Sequence, residues 1–312
     1  MTQSNGPVLL AYDGSESSAT AIAVAGRFLP GREALVCHAW TGVSQIVLLG
    51  ALAELPGTMG DAVAEIDRVD LEEAEKSAAA GVQLAEAAGF KAKPLAVREE
   101  RKTWRTLLQA AEDHHASLIV AGAHGMSGIG RALLGSVSTG LVHHSDVPVL
   151  VVPATARDEE TGGPVLLCYD GSDSAKRAIE LAGELLEPQP ALVLHFWESW
   201  VAEAPALAAL SRTVEGMASE LDEIADEQSS KFTDDGVELA EQSGFDATGL
   251  SERAVGPGWI AVCDAANQHA CAAIVVGSRG LTGVSAALGS VSNGVVHNSR
   301  RPVLMVPTAE DE

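Results

Sequence analysis

Short apolar runs alternate with longer segments of helical periodicity along the first half of the chain. The runs are rich in β-branched and aliphatic residues, which is typical of strands buried on both faces. Five such strands alternating with four helices predict a doubly wound, parallel α/β sheet. The predicted strands are Val8–Tyr12, Ala34–Ala39, Lys93–Arg98, Leu118–Gly122 and Val147–Val152, and the predicted helices are Glu16–Phe28, Ala62–Ala88, Trp104–His115 and Arg131–His144.

The same pattern occurs twice in the chain. The sequence VLLAYDGS at Val8–Ser15 returns as VLLCYDGS at Val165–Ser172, and GSVS at Gly135–Ser138 returns at Gly289–Ser292. The blocks keep their order while their offset drifts slowly, as expected after duplication of a whole domain with small insertions and deletions. We therefore predict two tandem Rossmann-like domains, residues 1–154 and 163–312, joined by a polar, Gly-rich linker.

The charge of the chain excludes several kinds of partner. Its formal net charge is −23, from 43 acidic and 20 basic residues among 312. A chain this acidic repels nucleic-acid backbones and anionic lipid surfaces at long range, so we expect no nucleic-acid partner and no membrane partner. The excess acid falls in runs along predicted helices, such as Glu72, Glu73 and Glu75, where we expect it to form a solvated surface.

The cysteines and the first residues bear on the cellular compartment. Cys37, Cys168, Cys263 and Cys271 lie in apolar segments and form no CxxC pair. We interpret them as buried, reduced thiols, and we predict neither a metal site nor a redox pair. Met1–Pro7 lacks the basic region and apolar run of a secretory signal. These observations favour a cytoplasmic protein.

The segments that follow the first and fourth strands carry the candidate chemistry, because doubly wound sheets bind ligands where their strand order reverses. Asp13 closes the first strand, and its carboxylate suits an adenine amino group, a ribose hydroxyl or magnesium, although an acidic residue there also caps a helix. After the fourth strand come Gly122 and Gly125, and then, beyond nine intervening residues, Gly135 and Ser136. Glycines admit close approach of backbone amides to phosphate, and a helix N-terminus supplies unpaired N–H groups. No GxxxxGK[ST] sequence is present, so this is not a Walker-type loop.

Asp13, the spacing G-x2-G-x9-G-S from Gly122 and a closing PVLVVP strand together resemble the universal stress protein family, over nearly the whole of both copies. The resemblance implies a five-stranded nucleotide-binding fold of the adenine nucleotide alpha hydrolase-like type. It also implies a stress-response regulatory protein that binds ATP or a related adenine nucleotide, with Mg2+ left open as a companion ion. The implied ligand residues of the first copy are Ala11, Asp13 and Ala39 for the base, and Gly122, Gly125, Gly135, Ser136, Val137 and Ser138 for the ribose and phosphates. The matching residues of the second copy are Asp170, Phe196, Gly277, Gly280, Gly289, Ser290, Val291 and Ser292.

The second copy departs from this pattern in two places. Only eight residues separate Gly280 from Gly289, one fewer than in the first copy, and Phe196 stands where the first copy has Ala39. We expect the missing residue to shift amide donors away from the phosphates and so to weaken the second site. Arg279 adds a positive charge that suits phosphate. Phe196 either stacks on the base or crowds it.

Three classes of function remain open from the sequence. The first is a regulatory nucleotide-binding protein without catalytic residues, because the sequence contains no GxSxG or HExxH motif. The second is a slow ATPase or a nucleotide-dependent enzyme of a related fold, and the third is a scaffold that no longer binds nucleotide. Duplication also predicts a pseudo-dimer of the two copies, in which Val147–Val152 and Arg301–Val306 form the sheet edges, and it leaves a homodimer open.

Overall fold

The structure is a computed structural model that describes residues 5–42, 57–99, 102–124, 134–156, 162–197, 217–254, 256–278 and 288–308. The chain divides into two compact units, Met1–Thr155 and Ala156–Glu312. Within the described residues, no helix is both long enough and apolar enough to cross a membrane.

The first unit alternates strands and helices in the predicted order. Its strands are β1 (Val8–Ala11), β2 (Glu33–Trp40), β3 (Lys91–Arg98), β4 (Leu118–Gly122) and β5 (Val149–Val152), and its helices are α1 (Glu16–Phe28), α2 (Gly57–Ala87), α3 (Thr103–Asp113) and α4 (Ser136–His144).

The second unit repeats this order. Its strands are β6 (Val165–Cys168), β7 (Pro190–Trp197), β8 (Asp246–Arg253), β9 (Ala273–Gly277) and β10 (Val303–Val306), and its helices are α5 (Asp173–Leu185), α6 (Met217–Gln242), α7 (Gly258–Gln268) and α8 (Ser290–Asn298).

All strand pairs within each unit are parallel, in the order β3-β2-β1-β4-β5 and, correspondingly, β8-β7-β6-β9-β10. After β1, the chain therefore adds β2 and β3 on one side of β1 and then returns to add β4 on the other side of β1. This reversal places the carboxyl ends of β1 and β4 side by side, with Leu10 opposite Val120. The prediction of two tandem doubly wound α/β domains is confirmed.

Local hydrogen bonds define the start of α1 and the end of α2. The Ser15 side chain accepts a hydrogen bond from the Ser18 amide at 3.2 Å and so caps α1. Gly89 ends α2 with a φ of +93°, and the Phe90 amide then reaches the Ala85 carbonyl at 2.9 Å. This left-handed turn closes the helix in the way that a C-terminal glycine permits.

Several predicted boundaries were wrong, including the starts of α4 and β5. Helix α4 begins at Ser136 rather than at Arg131, which lies outside the described residues, because the Gly135 amide donates to the Ala123 carbonyl at 2.7 Å and Gly135 has extended backbone angles. Strand β5 begins at Val149 rather than at Val147. Val147 is engaged in a turn, since its carbonyl accepts from the Ser145 hydroxyl at 2.7 Å and its amide donates to the same hydroxyl at 3.2 Å.

Tryptophan side chains anchor the third helix of each unit against the fourth. A Cβ added to Gly140 would lie 2.3 Å from the Trp104 ring, and one added to Gly294 would lie 2.3 Å from the Trp259 ring. The rings therefore rest directly on glycine backbone, as expected for packing anchors. This contact fixes the position of α4 and α8, whose N-terminal ends face the candidate site.

Candidate nucleotide-binding site

A cavity of about 340 Å3 lies at the carboxyl ends of β1 and β4 in the first unit. The predicted ligand residues that line it come from four separate segments of the chain, and Gly125 lies outside the described residues. The predicted residues around the cavity are Ala11, Asp13, Ala39, Gly122, Gly135, Ser136, Val137 and Ser138. Their role as nucleotide ligands stays a prediction, but the fold brings them to one cavity.

Asp13 begins a tight turn that leads from β1 into α1. Its Oδ1 atom accepts a hydrogen bond from the Ser15 amide at 3.0 Å, and Gly14 between them has a φ of +83°. Because Ser15 itself caps α1, the turn and the cap are formed by different side chains. Asp13 therefore lies at the cavity wall and does not act as the cap of the helix.

His38 ties the second strand to the same turn. Its Nδ1 atom lies 2.9 Å from the Tyr12 carbonyl oxygen. A carbonyl can only accept, so Nδ1 carries the proton in this arrangement. The histidine therefore acts as a strand-end residue whose Nδ1 hydrogen bond is satisfied.

The opposite wall of the cavity is the N-terminus of α4. Gly135 is its N-cap residue, and the Thr139 amide makes the first bond inside the helix, to the Gly135 carbonyl at 2.9 Å. The amides of Ser136, Val137 and Ser138 precede that bond, and a helix has no internal acceptors for these donors. Together with the helix dipole, these amides form a site suited to an anion.

The Ser138 hydroxyl makes a hydrogen bond within the protein. It donates to the Gly122 carbonyl at 2.6 Å, and the side chain is only 3% exposed. Since its one proton is committed to the end of β4, this hydroxyl cannot donate to a phosphate at the same time. Ser138 can offer its backbone amide, and its side chain holds α4 to the strand.

Gly122 is required by the packing of α1 against β4. A Cβ added there would lie 2.5 Å from Ser17 Oγ and 2.8 Å from the Ser17 carbonyl oxygen. The first turn of α1 therefore rests against the end of β4. The matching Gly277 would meet Ser174 Oγ at 2.4 Å and the Ser174 carbonyl at 2.8 Å, so both copies share this close approach.

Sequence reasoning missed several residues of the cavity wall, notably Glu99, Thr103 and Leu107, which follow β3 or begin α3. The strand-order rule does not indicate the carboxyl end of β3, which lies two strands from the reversal point. His124 also lines the cavity, and its Nε2 atom is buried with no hydrogen-bond partner among the described residues. A buried polar atom without a partner costs about 1–3 kcal/mol, which favours a ligand at this position.

The second unit repeats the turn after its first strand. Asp170 Oδ1 accepts from the Ser172 amide at 3.0 Å, Gly171 has a φ of +79°, and His195 Nδ1 lies 2.8 Å from the Tyr169 carbonyl oxygen. All three features match those around Asp13 in the first unit.

The start of α8 also matches that of α4. The Ser292 hydroxyl donates to the Gly277 carbonyl at 2.6 Å, and the Gly289 amide donates to the Ser278 carbonyl at 2.9 Å. The helix that carries Ser290, Val291 and Ser292 therefore starts with the same two bonds as its counterpart. Gly280 and Arg279 lie outside the described residues, and the expected shift of the loop's amide donors stays a prediction.

A larger cavity, of about 790 Å3, lies along α3 and the segment Ser145–Val147. None of the predicted ligand residues lines it. It also lies away from the N-terminus of α4, which supplies the anion-binding amides. The smaller cavity at the strand ends is therefore the better candidate site.

The cysteines are free thiols, of which Cys37, Cys263 and Cys271 are buried and Cys168 is half-buried. Burial raises the pKa of Cys37 to about 12, so this thiol on the cavity wall stays protonated at neutral pH. Within the part of the chain that the structure describes, no group of three or more His, Cys, Asp or Glu side chains is arranged to hold a metal ion.

The parallel five-stranded order and the paired strand-end turns define a class of α/β domain that occurs here twice, and the family follows from direct comparison. Residues 5–153 and 163–307 each match the universal stress protein family. The chain therefore belongs to the universal stress protein family, as a tandem two-domain member.

Individual relatives agree with this assignment. A universal stress protein of Mycolicibacterium smegmatis is 31% identical over 210 residues, which are 65% of each chain. A universal stress protein of Thermus aquaticus is 31% identical over 153 residues, 46% of this chain and 96% of the relative. The chain thus spans slightly less than two thirds of the M. smegmatis relative. The crystal structure of a universal stress protein from Archaeoglobus fulgidus covers 98% of this chain and 100% of its own, with 25% identity and a TM-score of 0.61.

Proposed function

We propose that the first copy binds ATP, or a closely related adenine nucleotide, as the regulatory ligand of a cytoplasmic stress-response protein. One observation carries the proposal: the cavity at the strand ends joins the Asp13 turn to the N-terminal amides of α4. These two walls differ in chemistry, because one offers a carboxylate acceptor and the other offers N–H donors. A nucleotide has the matching asymmetry, with donors on its base and ribose and acceptors on its phosphates.

The cavity orients such a ligand in one direction. The base and ribose lie between Asp13 and the small side chain of Ala39, where acceptor groups are available. The phosphates lie at the amides of Ser136, Val137 and Ser138, where each charge-assisted hydrogen bond contributes about 1.5–3 kcal/mol. Amide dipoles can thus hold the anion without the lysine of a Walker-type loop. Where Mg2+ accompanies the nucleotide, it would neutralise phosphate charge.

A binding function fits the site better than a catalytic one. Hydrolysis needs a group that activates water beside the phosphates. Among the described residues that line the cavity, Asp13, Glu99 and His124 have side chains that could activate water, and they lie at three different strand ends. We propose that these groups contribute to binding and that nucleotide turnover is negligible.

Nucleotide recovered from the purified protein tests this function. Heat or acid denaturation of the full chain is expected to release an adenine nucleotide, and ATP is expected to rebind at about one equivalent. The released nucleotide is identified by liquid chromatography and mass spectrometry, and rebinding is measured by calorimetry. Absence of released nucleotide together with absence of ATP binding at millimolar concentration would favour the nucleotide-free scaffold. ATP hydrolysis well above the rate without protein would favour the enzyme.

We also propose that the two copies form a pseudo-dimer through their last strands, with a homodimer of whole chains as a further level of assembly. The proposal rests on the duplication and on the apolar character of β5 and β10, whose residues are buried. An unpaired apolar edge strand invites association. Each half expressed alone is therefore expected to self-associate or precipitate, as measured by light scattering. Two soluble, monomeric halves would contradict the pseudo-dimer.

A further inference from the structure

The second copy differs from the first in a side chain near the end of its second strand. Phe196 of β7 reaches across to the first residue of α7, because a Cβ added to Gly258 would lie 2.5 Å from Phe196 Cζ and 2.7 Å from Cε2. The tip of the ring therefore rests on the Gly258 backbone. Val291 Cγ2 lies 3.2 Å from the same Cβ position, so α8 also borders the place where the ring ends.

The counterparts of these residues line the open cavity of the first copy. Phe196 corresponds to Ala39, and Gly258, next to Trp259, corresponds to Thr103, next to Trp104. Ala39 and Thr103 both line the cavity of about 340 Å3, as does the counterpart of Val291. The phenyl ring thus crosses, in the second copy, the gap between strand and helix that is open in the first.

Two differences between the copies, one that enlarges a side chain and one that shrinks a side chain, allow this contact. A large side chain replaces a small one on the strand, and glycine replaces threonine on the helix. With any side chain at position 258, the ring in its present position would be overpacked. Gly258 is therefore best understood as the residue that makes room for Phe196.

We propose that Phe196 closes the base end of the second site, so that the chain binds one nucleotide, in its first copy. This inference rests on the proposed function for the identity of the ligand. The anion end of the second site keeps the geometry of the first, since the Ser292 tie and the Gly289 cap are retained. The two copies thus differ at the end of the site where the nucleotide base would bind. The side chains at positions 196 and 258 determine this difference.

A thermal double-mutant cycle on the full chain tests the packing without any ligand. Gly258→Thr is expected to lower Tm by roughly 3–10 °C, because the new side chain overlaps the ring. Adding Phe196→Ala removes the overlap, so the double variant is expected to be more stable than the sum of the two single losses predicts. The mirrored cycle in the first copy uses Ala39→Phe with and without Thr103→Gly. If the decreases in Tm are additive in both cycles, the proposed packing of the large residue 196 against the small residue 258 is wrong.

Photolabelling with 8-azido-ATP, mapped by peptide mass spectrometry, tests the stoichiometry. Label is expected only in peptides of the first copy, and the Ala39→Phe/Thr103→Gly variant, once shown to be folded by circular dichroism, is expected to lose it at least tenfold. Equal labelling of both copies in the wild type would overturn the proposal and would indicate that Phe196 stacks on the base. Absence of label everywhere would instead refute the proposed function, while the thermal cycle still decides whether Phe196 fills the gap.

Discussion

Gly122→Val is expected to lower the free energy of unfolding by roughly 2–3 kcal/mol, in the absence of any nucleotide. The Cβ alone would lie 2.5 Å from Ser17 Oγ and 2.8 Å from the Ser17 carbonyl oxygen. A hydroxyl can rotate away, but the carbonyl belongs to the first turn of α1, so the helix itself must move. Urea denaturation followed by circular dichroism measures the loss.

The chain offers matched controls for this experiment. Gly277→Val is expected to cost a similar amount, because it meets Ser174 in the same way. Gly162→Val is expected to leave stability within about 0.5 kcal/mol, since a Cβ there has no neighbour within 4 Å. Wild-type stability of Gly122→Val, combined with lost ATP binding, would show that this glycine serves the ligand alone. ATP titration of Gly122→Val is therefore interpretable only after its stability is known.

Asp13→Ala is expected to weaken ATP binding by roughly ten- to a hundredfold, the equivalent of one lost hydrogen bond to a charged group. Asp170→Ala is expected to leave the affinity and the stoichiometry unchanged, because the base end of the second site is filled. Both substitutions remove the same hydrogen bond to a serine amide, so they cost similar stability. Calorimetric titration of the two variants with ATP separates the copies.

Asp13→Asn separates the charge from the turn. An asparagine keeps an Oδ1 atom that accepts from the Ser15 amide, so the turn is retained. If the carboxylate contacts the ligand, the asparagine variant still binds more weakly than the wild type. Loss of the tight site in Asp170→Ala, with wild-type binding in Asp13→Ala, would reverse the ranking of the copies.

The fold was predictable because its signals are local and repeated. Strands buried on both faces appear in the sequence as apolar runs, and the duplication provides a second instance of each run. Helix starts were less predictable, as α4 shows. Its N-terminus is set by a hydrogen bond from Gly135 to Ala123, and the helical pattern before Gly135 does not reveal that bond.

The site was predictable in place but not in detail. Strand order brings Asp13 and Gly135 together, and the reversal rule identifies that edge from the sequence. The sequence places Ser138 among the residues for the ribose and phosphates but cannot show that its hydroxyl donates to the Gly122 carbonyl. The contact between Phe196 and Gly258 joins residues far apart in the chain, and only their positions in space reveal it.

The histidine bonds to the Tyr12 and Tyr169 carbonyls have a consequence for how each turn can move. Each bond runs from a side chain of the second strand to the residue directly before Asp13 or Asp170. Displacement of either turn would break a bond to the neighbouring strand, so each turn is expected to open together with that strand rather than separately.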